Sequence, residues 1–150
     1  MIHGLDTGFL VAAEVAEHAL HQDTRAILAR LVSAQDQFAL APQVLAEFMH
    51  IVTDSRRFTQ PLDMPTAQNI AQQWWTAAEV IHVVPDDGAV QLFFAWLKQF
   101  ALGRKRLLDT LLASTYSQAA VQSLLTTNPS DFSVFGCFTC VVPVAASTKP

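Results

Sequence analysis

The chain has 150 residues, of which 51% are hydrophobic and only 15% charged, and its formal net charge is −4. A typical globular domain is about 25% charged, so the composition indicates one domain, 1–150, whose surface is small or partly covered by a second copy or a protein partner. The acidic balance excludes wholesale electrostatic binding of nucleic acid, which favours a basic domain. It leaves room for a local basic patch, because Arg56-Arg57 and Arg104-Lys105-Arg106 hold most of the nine Lys and Arg residues.

"MIHGLD" predicts a short apolar strand ending on a carboxylate, with Thr7 placed to cap a helix through "GFLVAAEVAEH". The same stretch lacks a basic leader and contains Asp6, which argues against a signal peptide. "DTRAILARLVSAQ" puts Ile27, Leu28, Leu31 and Val32 on one helical face. "DQFALAP" reads as a second strand, and Pro42 opens a helix, as proline prefers its first turn, with Val44, Leu45, Phe48, Met49 and Val52 as the buried stripe. Pro65 opens another helix in the same way. Its Trp74 and Trp75 cannot share one core face, since adjacent helical residues diverge by about 100°, so one of them is expected at an interface. "EVIHVVP" is a β-branched strand closed by proline. "DDGAVQLFFAWLKQFAL" is helical, with Asp86 and Asp87 near its positive end. With Lys98 inside it, this stretch falls short of the about 18 apolar residues that a membrane span needs. The basic tract then leads into a helix carrying Asp109, followed by a strand "VQSLLTT", a turn "NPSD" and a last strand "TCVVPV".

Strands alternating with helices predict an α/β fold, a mostly parallel sheet flanked by helices on both faces. In such sheets ligand sites gather beyond the carboxyl ends of the strands, where Asp6 and the "TTNPSD" turn fall. Each acid has an ordinary explanation: Asp6 as a helix cap, Glu47 on a solvated helix edge, Asp109 paired with Lys105 or Arg106, Asp131 as a turn residue. Together, Asp6, Glu47 and Asp109 are carboxylates flanked by apolar residues. Asp109 in particular interrupts the run of Leu107, Leu108, Leu111 and Leu112. Carboxylates brought close raise one another's pKa and repel. A hard divalent cation removes the conflict, and carboxylate donors without histidine favour Mg²⁺ or Mn²⁺ over zinc.

The blocks "LDTGFLVAA", "APQVLAEFMHIV", "RLLDTLLASTY" and "SLLTTNPSDFSVF" resemble, in order and spacing, the four sequence blocks of PIN-domain ribonucleases, most closely the VapC-type toxins of toxin–antitoxin pairs. The resemblance implies a PIN-like three-layer fold and an endoribonuclease dependent on Mg²⁺ or Mn²⁺. Asp6, Glu47 and Asp109 match the family's three acids. The fourth polar position, often aspartate, is Asn128 here, with Asp131 nearby as a minor candidate that reaches the ion through water. The implied reaction is in-line attack of water on the scissile phosphorus, leaving 5′-phosphate and 3′-hydroxyl ends. Arg104, Lys105 and Arg106 precede Asp109 by about one turn and are placed to grip substrate phosphates, or form a solvated loop. Thr7 and Thr126, beside matching acidic positions, are further candidates for substrate contact.

The resemblance also implies RNA as substrate and a cognate antitoxin as partner; the expected lack of a leader, a membrane segment and a disulfide framework points to a cytoplasmic protein, and the sparse charge adds a homodimer. The alternative is a catalytically weak PIN-like module that binds RNA or protein, which Asn128 makes conceivable. "CFTC" has C-x-x-C spacing but only half the ligands of a zinc site, and it runs into a strand instead of opening a helix. Two reduced cysteines are therefore expected.

Overall fold

The computed structural model describes residues 1–144. Five strands form one sheet: β1 (Ile2–Leu5), β2 (Gln37–Leu40), β3 (Val80–His82), β4 (Ser123–Leu125) and β5 (Thr139–Val141), in the order β3-β2-β1-β4-β5. Every pairing is parallel, with Gly4 opposite Ala39 on one side and Leu124 on the other. Leu40, Leu124 and Leu125 are fully buried, as expected of central strands covered on both faces.

The helices are α1 (Thr7–Glu14), α2 (His21–Ser33), α3 (Pro42–Val52), α4 (Met64–Thr76), α5 (Asp87–Gln99), α6 (Leu107–Gln118) and the single turn α7 (Ser130–Ser133), with a 3₁₀ turn at Arg104–Arg106 before α6. From β1 the chain steps outward to β2 and β3, then returns past β1 to β4 and β5. Parallel crossovers are right-handed, so this reversal puts α1–α4 on one face and α5–α7 on the other. α1 packs on α2 and α3, α3 on α4, and α5 on α6. No helix among the described residues is long and apolar enough to cross a membrane.

Several local expectations change. The cap of α1 is Asp6, not Thr7: Asp6 is extended (φ −95°, ψ 151°) and its carboxylate accepts from the Thr7 amide. α1 ends at Glu14, before "VAEH". Val32 is 41% exposed while Leu31 is buried, so the α2 stripe is narrower than its periodicity suggested. The "NPSD" turn runs into α7. The two tryptophans diverge as expected, yet both remain part-buried against the core. Trp74 donates its indole N–H to Glu14 at 2.8 Å, and Trp75 stacks on His82 with centroids 3.6 Å apart. Leu107 and Leu108 are 41% and 63% exposed. The apolar run around Asp109 is therefore not a core stripe at its start, and Asp109 lies in the first turn of α6, where a carboxylate suits the helix dipole. Cys137 and Cys140 are free thiols.

Tyr116 of α6 is fully buried and donates its hydroxyl to the Leu5 carbonyl at 2.7 Å. Its ring lies over Gly4, where an added Cβ would stand 2.8 and 2.9 Å from ring carbons. Gly4→Ala is therefore expected to lower unfolding stability by about 1–3 kcal/mol through overpacking, measured by urea denaturation. An unchanged midpoint would mean the ring moves aside freely.

Candidate active site

β1 and β4 are neighbours whose connections leave in opposite directions, which makes their carboxyl ends the switch point of the sheet, the place where ligands bind in open α/β folds. Asp6 follows β1 and Thr126 follows β4. The Asp6 amide donates to the Leu125 carbonyl at 3.0 Å, and the Thr126 amide to the Val141 carbonyl at 3.2 Å. These bonds continue the ladders past the strands and fix both residues in place. Both Asp6 carboxylate oxygens are held: Oδ1 accepts from the Thr7 amide at 2.8 Å and Oδ2 from the Thr126 hydroxyl at 2.7 Å.

Glu47 enters from the middle of α3, which follows β2, and Asp109 from the first turn of α6. Asp6, Glu47 and Asp109 line one cavity of about 300 Å³. Thr7, Gln43, Val44, Ala46, His50, Leu108 and Leu112 complete its walls. The three acids come from three separate elements and meet only through the tertiary fold. Gln43 and His50 were not assigned to the site from sequence, although each is one helical turn from Glu47. That spacing was the available signal.

Electrostatics bind the acids into one system. Burial pushes the Asp6 carboxyl up to about 6, and the charges of Asp109 and Glu47 push the same way, while the Thr126 and Thr7 hydrogen bonds oppose the rise. Burial also raises Asp109 to about 6, helped by Asp131 and Glu47 and opposed by Arg106. Arg106 Nε lies 3.8 Å from Asp109 Oδ2, and the Arg106 guanidinium also donates to the Asp131 carbonyl. Arg106 is thus part-buried between the Asp109 carboxylate and the Asp131 backbone carbonyl, whereas Arg104 and Lys105 are exposed. The 3.8 Å separation offsets the charge on Asp109 without a hydrogen bond, since Arg106 Nε makes none among the described residues.

Asn128 and Asp131 stand apart from the cavity walls. The Asn128 side-chain amide donates to Asp131 Oδ2 at 2.7 Å, Ser130 donates to Asn128 Oδ1 at 2.7 Å, and the Asn128 backbone N–H donates to the Thr126 hydroxyl oxygen at 3.0 Å. A chain of contacts therefore runs from Asp131 through Asn128 and Thr126 to Asp6. Among the described residues, no three His, Cys, Asp or Glu side chains stand as a ready-made metal cage. The donor set nevertheless suits a hard cation: three carboxylates around one cavity, two of them destabilised as anions by burial and by their neighbours. The donor chemistry fits such an ion, but among the described residues the side chains are not drawn together into a ligand shell.

No family model matches the chain. Over 81 residues it is 32% identical to Ribonuclease VapC43 of Mycobacterium tuberculosis and, equally, to a VapC ribonuclease of Mycobacterium bovis. The match covers 54% of this chain and 50% of each relative, so it spans about half their length. Solved structures agree over far more of the chain. The crystal structure of Mycobacterium tuberculosis VapC20, a toxin that cleaves the sarcin–ricin loop, superposes with a TM-score of 0.71 at 20% identity, covering 95% of this chain and all of that one. VapBC2 from Rickettsia felis, bound to a DNA fragment from its promoter, gives 0.67 at 18% identity, covering 95% and 98%. A toxin–antitoxin complex from Klebsiella pneumoniae gives 0.64 at 14% identity, with the same coverage. In fold, then, the chain is a PIN-like α/β domain similar to these VapC structures, and over about half of its length its sequence resembles the VapC ribonucleases.

Proposed function

We propose that this protein is an endoribonuclease dependent on Mg²⁺ or Mn²⁺, with Asp6, Glu47 and Asp109 as its metal-holding catalytic acids, and that it is the toxin of a toxin–antitoxin pair. The observation that carries the reading is the meeting of these three carboxylates in one cavity at the switch point of the sheet. When bound there, a hard divalent cation lowers the pKa of water and offsets charge on the phosphoryl oxygens.

The chain's own residues do the rest. The Thr7 amide and the Thr126 hydroxyl orient the Asp6 carboxylate by holding both of its oxygens. Arg106 moderates the charge on Asp109, and the exposure of Arg104 on the adjoining turn supports a contact with substrate phosphates. Asn128 and Asp131, joined to each other, complete the candidate set from beside the cavity. Phe94 (55% exposed), Leu107 and Leu108 leave apolar surface on α5 and α6. This surface supports a covering protein, either the antitoxin or a second copy in a homodimer. A cytoplasmic location belongs to the same reading.

The second reading, a weak RNA- or protein-binding module, rests on Asn128 at the position often held by aspartate. One assay separates the two. Purified protein incubated with RNA is expected to cleave it with Mg²⁺ or Mn²⁺ and to stop when a chelator is added. Cleavage that persists under chelation would overturn the metal mechanism, and binding without cleavage would establish the module.

A further inference from the structure

The acid cavity contains a buried polar group that this mechanism leaves unused. Gln43 lies one helical turn before Glu47 on α3 and lines the same walls. Its Nε2 is buried and meets no acceptor among the described residues, although carboxylates surround the same space. Burying an unpaired amide donor is unfavourable, so a fold that uses it only for packing would be better served by leucine. Gln43 as a whole is only part-buried, and it lines this cavity.

We propose that Gln43 is a specificity-determining residue that hydrogen-bonds the base of an RNA nucleotide seated in this cavity. The inference rests on the ribonuclease reading and extends it to substrate choice. Charge divides the labour. A substrate phosphate is served by the carboxylate-held cation and by arginine, and a neutral amide adds little there. A base edge instead offers uncharged acceptors and donors, and a carboxamide presents both and can engage two positions at once. Unpaired RNA exposes such edges because its bases can be splayed out. The uncharged walls, Val44, Ala46, Leu108 and Leu112, suit the flat apolar faces of a base.

The test is Gln43→Leu, which keeps approximate volume and removes both hydrogen-bonding functions. Parent and variant are given a single-stranded RNA pool with randomised positions in Mn²⁺, and the cleaved ends are mapped. At preferred sites kcat/KM is expected to fall about 10- to 100-fold. The base preference beside the cut should flatten, and the thermal midpoint without RNA should stay level or rise. Gln43→Glu, which exchanges the donor for an acceptor, should change which base is preferred. A uniform loss with unaltered preference would put the contact on the backbone and overturn the proposal, as would an unchanged kcat/KM. A lower midpoint in both variants would assign Gln43 a structural role and overturn it too. A parent that cuts nothing in Mg²⁺ or Mn²⁺ removes the ribonuclease reading and this inference together. A cutting parent with an unaffected Gln43→Leu removes this inference alone.

Discussion

Asp6→Asn and Asp109→Asn are each expected to cut RNA cleavage in Mg²⁺ or Mn²⁺ by about 1,000-fold or more, a barrier increase of about 4 kcal/mol, without loss of the fold. Asparagine is as good a helix cap as aspartate, and its carbonyl oxygen can still accept from the Thr7 amide, as Asp6 Oδ1 does. What it lacks is the negative charge needed to hold a hard cation. At Asp109 the change removes a charge that burial and Asp131 already disfavour, and it leaves Arg106 bonded to the Asp131 carbonyl. Metal-free thermal stability of both variants should therefore equal or exceed that of the parent. A variant that cleaves at the parent rate would remove its residue from the catalytic set. A variant that unfolds at room temperature would show that the charge has a structural use.

Without metal, the parent should lose stability as the pH rises from about 4 to about 6. The Asp6 carboxyl titrates near 3.8 unfolded and near 6 folded, so between these values the folded state holds the proton more tightly. Its contribution is complete below 3.8 and gone once the pH passes 6. It amounts to about 3 kcal/mol on a shift of this size. Asp109 shifts in the same direction, and its side chain, 30% exposed, adds less. Glu17, Asp36, Asp54 and Asp63 have their carboxyls lowered by hydrogen bonds and act in the opposite sense at lower pH. The difference between parent and Asp6→Asn is therefore the informative quantity. Urea denaturation from pH 4 to 7 in chelator should give the variant a gain over the parent that grows with pH. Adding Mn²⁺ above pH 6 should stabilise the parent by mass action and the variant far less. A pH-independent difference would mean that Asp6 is not a buried acid in solution.

The order of strands and helices was legible in the sequence because its causes are local. Pro42 and Pro65 fall in the first turns of α3 and α4, Asp86 caps α5, and β-branched residues mark β3. The parallel sheet followed from that alternation. The four blocks around Asp6, Glu47, Asp109 and Asn128 carried the likeness to PIN-domain proteins. Periodicity failed where burial depends on a neighbouring element. Val32 and Leu108 match apolar helical spacing but face outward, because only the packed fold decides which part of a stripe is covered.

The sequence by itself determined which side chains carry negative charge and on which elements they ride. Only the tertiary structure decided that residues 6, 47 and 109, far apart along the chain, share one cavity. It also decided that the Arg106 guanidinium reaches the Asp131 carbonyl, that the Thr126 hydroxyl holds Asp6, and that the Gln43 amide is buried without a partner among the described residues. The reason is range. Caps and helical spacing act over a few residues, whereas the approach of charges across three elements depends on how helices pack over the sheet, and no short stretch of chain encodes that distance.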